Sequence, residues 1–303
     1  MTPEVDKVSD DEGTLYICPT PIGNLEDITL RALKVLKQVD YIAAEDTRVT
    51  LKLLNHYDIK TQLTSYHEHN KISKGHELIR LLLQGKDIAL VSDAGMPGIS
   101  DPGEALIKDA ISQGIKVVPL PGATASISAL VASGLDCSRF VFEGFLPKKN
   151  SDRRKKLTQL KYELRTLVLY ETPHRILKSL EDMKDILGDR RIAVAREISK
   201  IHEQFLRATV SQVLEIFKRS KPKGELVLVV EGHSGGESNA GIPEHNSREN
   251  NDIKQKLRIS LKKYELSGIS RKNALRKAAE ELGISRNCAY KMLLEEKKTE
   301  KHF

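Results

Sequence analysis

The sequence predicts an α/β protein of two α/β domains followed by a small all-α module. Three observations carry that reading. Short apolar runs alternate with amphipathic stretches, the pattern of strands joined by crossover helices. Several of those runs end in Gly- and Pro-rich turns, where open α/β sheets bind ligands. Charge is uneven: Lys+Arg and Asp+Glu balance over residues 1–251, and the whole excess of +7 falls on residues 252–303.

At 303 residues with 39% hydrophobic content, the chain has material for two cores and a further module. No apolar run approaches a membrane span. Residues 1–13 are acidic and polar, unlike a signal or transit peptide, and are expected to be a disordered leader. Cys18, Cys137 and Cys288 are far apart and form no CxxC, which suits a reduced cytoplasm and argues against zinc or a disulfide framework.

Thr14 to Cys18 reads as the first strand, and Pro19 to Asn24 turns sharply after it. Asp27 or Thr29 is placed to cap a helix from Thr29 to Gln38. Tyr41 to Ala44 is a second strand ending in Glu45-Asp46-Thr47-Arg48, a composition that suits a site or plain surface charge. A helix from about Val49 to Tyr57, a strand from Gln62 to Tyr66 and a helix over 71–84 follow. His67-Glu68-His69 has the spacing of a ligand pair, but nothing places a third ligand; it reads as a polar loop, and no metal is expected.

Ile88 to Val91 is apolar throughout, as in a strand buried on both faces. It breaks into Ser92 to Gly103, a loop with Gly95, Gly98, Gly103, Pro97 and Pro102. Such a loop brings backbone N–H groups close to a ligand, because no Cβ intervenes. A helix over 104–113 and a strand from Lys116 to Leu120 come next. Pro121-Gly122 then opens a helix of small residues, Ala123 to Ser133. Small residues there leave room for a ligand or for close packing on the sheet. No G-x-G-x-x-G, Walker or G-x-S-x-G pattern is present.

The second half begins with a strand from Phe140 to Phe145. A helix over 151–163 carries Arg153 to Lys156. Strands are expected at Thr166 to Tyr170, Ile192 to Ala195, Glu203 to Val210 and Gly224 to Glu231, with helices over 174–187 and 211–219, giving a mixed sheet. Residues 232–251 read as a flexible linker. Helical patterns cover about 252–264, 271–282 and 286–297. Leu282 to Ser285 has helix-turn-helix spacing, with Arg286, Asn287, Tyr290 and Lys291 on the exposed side or near the start of the second helix. A three-helix bundle with no nucleic-acid role is the alternative.

The motifs Thr20 to Leu25, Asp27-Ile28-Thr29, Ala44 to Arg48, Ser92 to Pro97, Ser100 to Gly103, Pro119 to Thr124 and Tyr170 to Arg175 stand in one order. Together they resemble the tetrapyrrole-methylase (class III) superfamily, in the branch that methylates ribosomal RNA of the bacterial small subunit. The resemblance implies domains at 14–137 and 138–231, S-adenosyl-L-methionine (SAM) in the cleft between them, and a homodimer in the cytoplasm. It implies methylation of a cytidine ribose 2′-hydroxyl in the decoding centre of 16S rRNA, with residues 252–303 as a basic helix-turn-helix module.

Within that frame, Pro21, Gly23, Asp93, Ala94, Gly95, Met96, Pro97, Ile99, Asp101, Pro121, Gly122 and Ala123 are assigned to SAM, with Tyr170, Ala195 and Leu226 beside its adenine. Asp93, Glu45, Asp46 and Glu171 are candidates for a general base, and the residues do not choose among them. Arg48, Arg175, Arg196 and Lys200 are candidates for RNA phosphates. Lys148, Lys149, Arg153 and Arg154 stand at the rim, and Arg286 and Lys291 in the module. Two other readings stay open: methylation of a tetrapyrrole-like small molecule, and a non-enzymatic regulator joining a ligand-sensing domain to a helix-turn-helix.

Overall fold

The computed structural model describes residues 12–234, 257, 259–267, 269–281 and 289. The chain divides into two compact units, Met1–His233 and Ser234–Phe303.

The first unit holds two five-stranded sheets. The first contains β1 (Leu15–Ile17), β2 (Tyr41–Ala44), β3 (Gln62–Ser65), β4 (Ile88–Val91) and β5 (Val117–Pro119), in the order β3-β2-β4-β1-β5. All four pairings are parallel. Helices α1 (Leu30–Gln38), α2 (Thr47–His56), α3 (Lys71–Leu83), α4 (Gly103–Ser112) and α5 (Ala125–Ala132) alternate with the strands. Of the two proposed caps for α1, Thr29 is the one used: its hydroxyl accepts from Ala32 N at 3.1 Å. β4 is buried along its whole length. Ala89 and Val91 pack with Leu36 and Ile42 on one face, while Ile88 and Leu90 pack with Leu78 and Leu106 on the other. That double burial is why its sequence is apolar without alternation.

The second sheet contains β6 (Phe140–Phe145), β7 (Thr166–Glu171), β8 (Arg191–Arg196), β9 (Gln204–Thr209) and β10 (Leu226–Val230), in the order β6-β7-β10-β8-β9. Only β6 and β7 run parallel, so the sheet is mixed. One face packs Leu169, Val194 and Leu228 with residues of α6 (Asn150–Gln159), α7 (Ile176–Leu187) and α8 (Val210–Arg219). The other packs Val168, Ala193, Ala195 and Val229 against Ala129 and Leu130 of α5. Helix α5 therefore belongs by sequence to the first half and by packing to the second sheet. Helix α6 ends at Gln159, short of the expected 163, where Leu160 turns inward to 7% exposure.

In the second unit, residues 259–266 are helical and α9 spans Arg271–Glu281. Leu257, Leu261, Ala274, Leu275, Ala278 and Ala289 form its core. The expected turn at 282–285, Arg286, Lys291 and most of the 232–251 linker lie outside the described residues. Among the described residues no helix is long and apolar enough to cross a membrane.

Candidate active site

A cleft of about 310 Å³ lies between the two sheets of the first unit. Its first wall is built where β1, β2 and β4 end. The loops after β1 and β4 are knitted by a two-bond bridge: Thr20 N donates to Gly95 O at 3.0 Å, and Gly95 N donates to Thr20 O at 3.0 Å. Gly95 sits at φ +82°, a left-handed conformation glycine adopts freely. A Cβ there would also stand 3.3 Å from Ile22 Cγ2. Asp101 folds the rest of the loop, accepting from Gly98 N at 2.9 Å and from Gly103 N at 2.7 Å. Ser100, a non-glycine residue at φ +66°, lines the cleft within that fold.

The carboxylates of this wall differ in their freedom. Asp93 accepts from Asp46 N at 2.9 Å. Asp46 itself caps α2 and chelates Arg48, accepting at 2.7 Å from its guanidinium. Those bonds hold the Asp46 carboxyl far below the usual carboxylate range, and it does not line the cleft. Glu45 does line it. Burial, then the charges of Asp93 and Asp101, push the Glu45 carboxyl above its ordinary value.

The opposite wall is aromatic and apolar: Phe145, Tyr170, Leu226 and Val227. Tyr170 stacks edge-on against Phe142, with ring centres 5.0 Å apart, and tilts against Phe145 at 5.5 Å. Glu171 lines the same wall but is committed to its own loop. It is 2% exposed, accepts from Thr172 N at 2.9 Å, and takes a further hydrogen bond from Ser179 Oγ. Arg175 Nε lies 3.4 Å from Glu171 Oε1, and Arg175 also donates to Leu146 O. Both residues are already engaged: Glu171 accepts two hydrogen bonds and lies beside the Arg175 charge, and Arg175 anchors the turn before α7.

Of the residues assigned to SAM, Asp93, Ala94, Gly95, Met96, Ile99, Asp101, Tyr170 and Leu226 line the cleft. The others do not. Gly23 lets the Lys200 chain pass, since a Cβ would meet Lys200 Cγ at 2.4 Å, and Gly122 does the same for Pro19 at 2.3 Å. Ala195 is buried against α5. Pro21, Pro97, Pro121 and Ala123 lie in the flanking turns and do not line the cleft. The cleft also contains Ile22, Ser92, Ser100, Thr124, Ala125, Phe145, Thr172, Gly224, Glu225 and Val227, which were not expected. The last three precede or begin β10. A search at the carboxyl ends of strands passes over them, but β10 runs antiparallel to β7, so its amino end meets the β7 carboxyl end, with Leu226 opposite Glu171.

The cations are sorted equally clearly. Arg153 is 4% exposed and bonds Asp182 at 2.7 Å, so burial removes it from any RNA surface. Arg154, less buried, shares Asp182 and reaches Asp185 at 3.3 Å. Lys148 and Lys149 are exposed. Arg48 is highly exposed but paired with Asp46. Lys200 bridges Glu197 at 2.9 Å and Glu225 at 3.2 Å. Burial works against its charge, yet those two carboxylates hold its pKa above the ordinary lysine value. Among the described residues no group of three or more His, Cys, Asp or Glu could hold a metal ion.

Comparison with known proteins agrees with this architecture. A Halalkalibacterium halodurans protein named ribosomal RNA small subunit methyltransferase I is 54% identical over 74% of this chain and 78% of its own length. The protein of the same name from Escherichia coli O157:H7 is 46% identical over 94% of this chain and 96% of its own. The crystal structure of a diphthine synthase superposes with a TM-score of 0.54 at 13% identity, covering 72% of this chain and 89% of that one, which establishes a shared fold. The family model for tetrapyrrole (corrin/porphyrin) methylases matches residues 14–214. With two sheets meeting at this cleft and that match across both, the chain belongs to the tetrapyrrole (corrin/porphyrin) methylase family.

Proposed function

We propose that this chain is a SAM-dependent methyltransferase that methylates the ribose 2′-hydroxyl of a decoding-centre cytidine in 16S rRNA, within the small ribosomal subunit. The observation that carries the reading is the near full-length agreement with the Escherichia coli relative, whose name states that class of activity. The cleft supports it chemically. Small residues Ala94 and Gly95 leave backbone groups accessible, the Asp93 carboxylate suits an ammonium, and Tyr170, Phe145, Leu226 and Val227 offer an apolar bed for an adenine.

SAM, when bound, supplies a methyl group already activated on a sulfonium. The protein's task is to align the acceptor and to take its proton. Alignment of this kind is worth roughly 7–11 kcal/mol of barrier. Glu45 is the proton acceptor in this reading: it faces the cleft, it forms no ion pair among the described residues, and burial brings its affinity for a proton nearer to working pH against the opposing pull of the Asp93 backbone N–H. Asp46 and Glu171 are already engaged by cations and hydroxyls. Glu45, Asp93 and Asp101 make the wall acidic, so RNA phosphates are met outside it, by Lys148, Lys149, Arg48 and Arg196.

The basic segment 252–303 adds affinity for the subunit by tethering. The enzyme works as a homodimer in the cytoplasm, where its substrate is assembled. Incubation with labelled SAM and small subunits from cells lacking this gene tests the reading. Label in 16S rRNA is the expected result; label absent from RNA but present in a tetrapyrrole would replace it.

A further inference from the structure

A second cavity, of about 380 Å³, opens in the first unit between the outer face of the second sheet and the end of α8. Its floor is apolar, made by Val194, Leu206 and Phe217. Its rim carries Arg196, Lys221 and Lys223, and no carboxylate lines it. Arg196 frames the mouth, donating to Gln204 Oε1 at 3.2 Å and to Lys223 O at 3.3 Å. Among the described residues neither Lys221 nor Lys223 is paired with a carboxylate.

The cavity neighbours the cleft through one continuous segment. Lys221 to Lys223 line the cavity and Gly224 to Val227 line the cleft. Across the sheet, Glu171, Leu226, Arg196 and Gln204 form a single row. Two interstrand steps of about 4.8 Å therefore separate Leu226 in the cleft from Gln204 at the cavity, roughly 10 Å. The two hollows differ in sign: the cleft is acidic and the cavity basic.

We infer that this cavity is a nucleotide subsite, taking an unpaired nucleoside phosphate beside the one whose sugar enters the cleft. Unstacked bases bind on apolar surfaces with cations placed for their phosphates. The end of α8 fixes the orientation. A helix carboxyl end disfavours an anion, so the base points inward onto the apolar floor and the phosphate sits on the lysine rim. The inference rests on the proposed RNA substrate, although a free nucleotide carries the same chemistry.

The test measures binding of a fluorescent single-stranded RNA of decoding-centre sequence, and of cytidine 5′-monophosphate, to the full chain. Lys221→Glu/Lys223→Glu is compared with Lys218→Glu/Arg219→Glu, which reverses equal charge on α8 outside the cavity. The cavity variant is expected to bind RNA about tenfold more weakly, with its salt dependence flattened by roughly one unit of log–log slope. The α8 control should lose less than threefold, and SAM affinity should stay within twofold for both. Loss of cytidine monophosphate binding alone supports a free nucleotide as the occupant. Equal losses in the two variants, or RNA and nucleotide affinities both unchanged, overturn the subsite. A wild-type chain that binds the nucleotide but neither RNA nor small subunits keeps the subsite and rejects the RNA substrate.

Discussion

Asp93 Oδ1 accepts a hydrogen bond from the backbone N–H of Asp46 at 2.9 Å, tying the loop after β4 to the loop after β2. Glu45 precedes that donor and is thereby held near Asp93 and Asp101, with its ionised form disfavoured first by burial and then by their charges. A raised pKa means the neutral acid persists to higher pH, so a reaction that needs the carboxylate gains rate only above the ordinary glutamate value of 4.5. Glu45→Gln should lower single-turnover rates by about 10²–10⁴, while calorimetric SAM affinity stays near wild type. Asp93→Asn keeps an acceptor for Asp46 N but removes a charge, and should move the acidic limb of the rate profile downward. An unmoved limb would assign it to another group.

The loop between β8 and β9 straps the two halves together. Ser199 Oγ donates to Asp27 of the first half, and Lys200 bridges Glu197 and Glu225 in the second. Glu197 and Ser199 sit at φ +53° and +69°, unusual for residues with a Cβ. Such strain persists only where the surroundings over-determine it. Lys200→Met should weaken SAM binding through the Glu225 wall, with the salt dependence of RNA binding unchanged. A flattened salt dependence with normal SAM affinity would instead make Lys200 a phosphate contact.

The same strap predicts a pH dependence of stability. The Glu225 N–H, then Lys200, hold the Glu197 carboxyl below 4.5. A lowered folded pKa contributes stability that is complete above the unfolded value and lost as pH falls through the folded one. Thermal melts should therefore show wild type losing its advantage over Lys200→Met only below pH 4.5. The raised Lys200 pKa works in the opposite sense, its contribution disappearing as pH rises past 10.5. A difference constant across the acid range would remove the ion pair from the account.

Asp182 is shared by Arg153 and Arg154, and its side chain is 9% exposed. Asp182→Ala leaves the Arg153 charge buried with only Asn150 and the Lys148 carbonyl as acceptors. Urea unfolding should register a loss of roughly 3–5 kcal/mol. A loss near zero would mean that the guanidinium finds water.

Much of the cleft was legible in the sequence because its first wall depends on local rules. β4 is apolar without alternation, and the loop after it carries the glycines its bridge to Thr20 requires. The second wall was less legible because it depends on register. Nothing local to Gly224 or Glu225 reveals that β10 runs antiparallel beside β7. Partnership was hidden as well: Arg153 and Arg175 read as available cations until Asp182 and Glu171 are found beside them. The same limit applied to Asp46 and Glu171, which look in sequence as competent to take a proton as Glu45.

Burial pushes the Cys18 thiol up to about 12, whereas Cys137 is exposed. Under native conditions at neutral pH, iodoacetamide followed by peptide mapping should modify Cys137 and spare Cys18. Modification of Cys18 at a comparable rate would show that β1 opens to solvent.

The central claim is tested most directly by locating the transferred methyl group. A 2′-O-methyl ribose cannot be cleaved at its own phosphodiester by alkali, so partial hydrolysis of 16S rRNA after reaction leaves a gap in the ladder at that nucleotide. One new gap at a decoding-centre cytidine, present with wild type and absent with Glu45→Gln, is the expected result. An unbroken ladder despite incorporated label would place the methyl on a base and contradict ribose methylation.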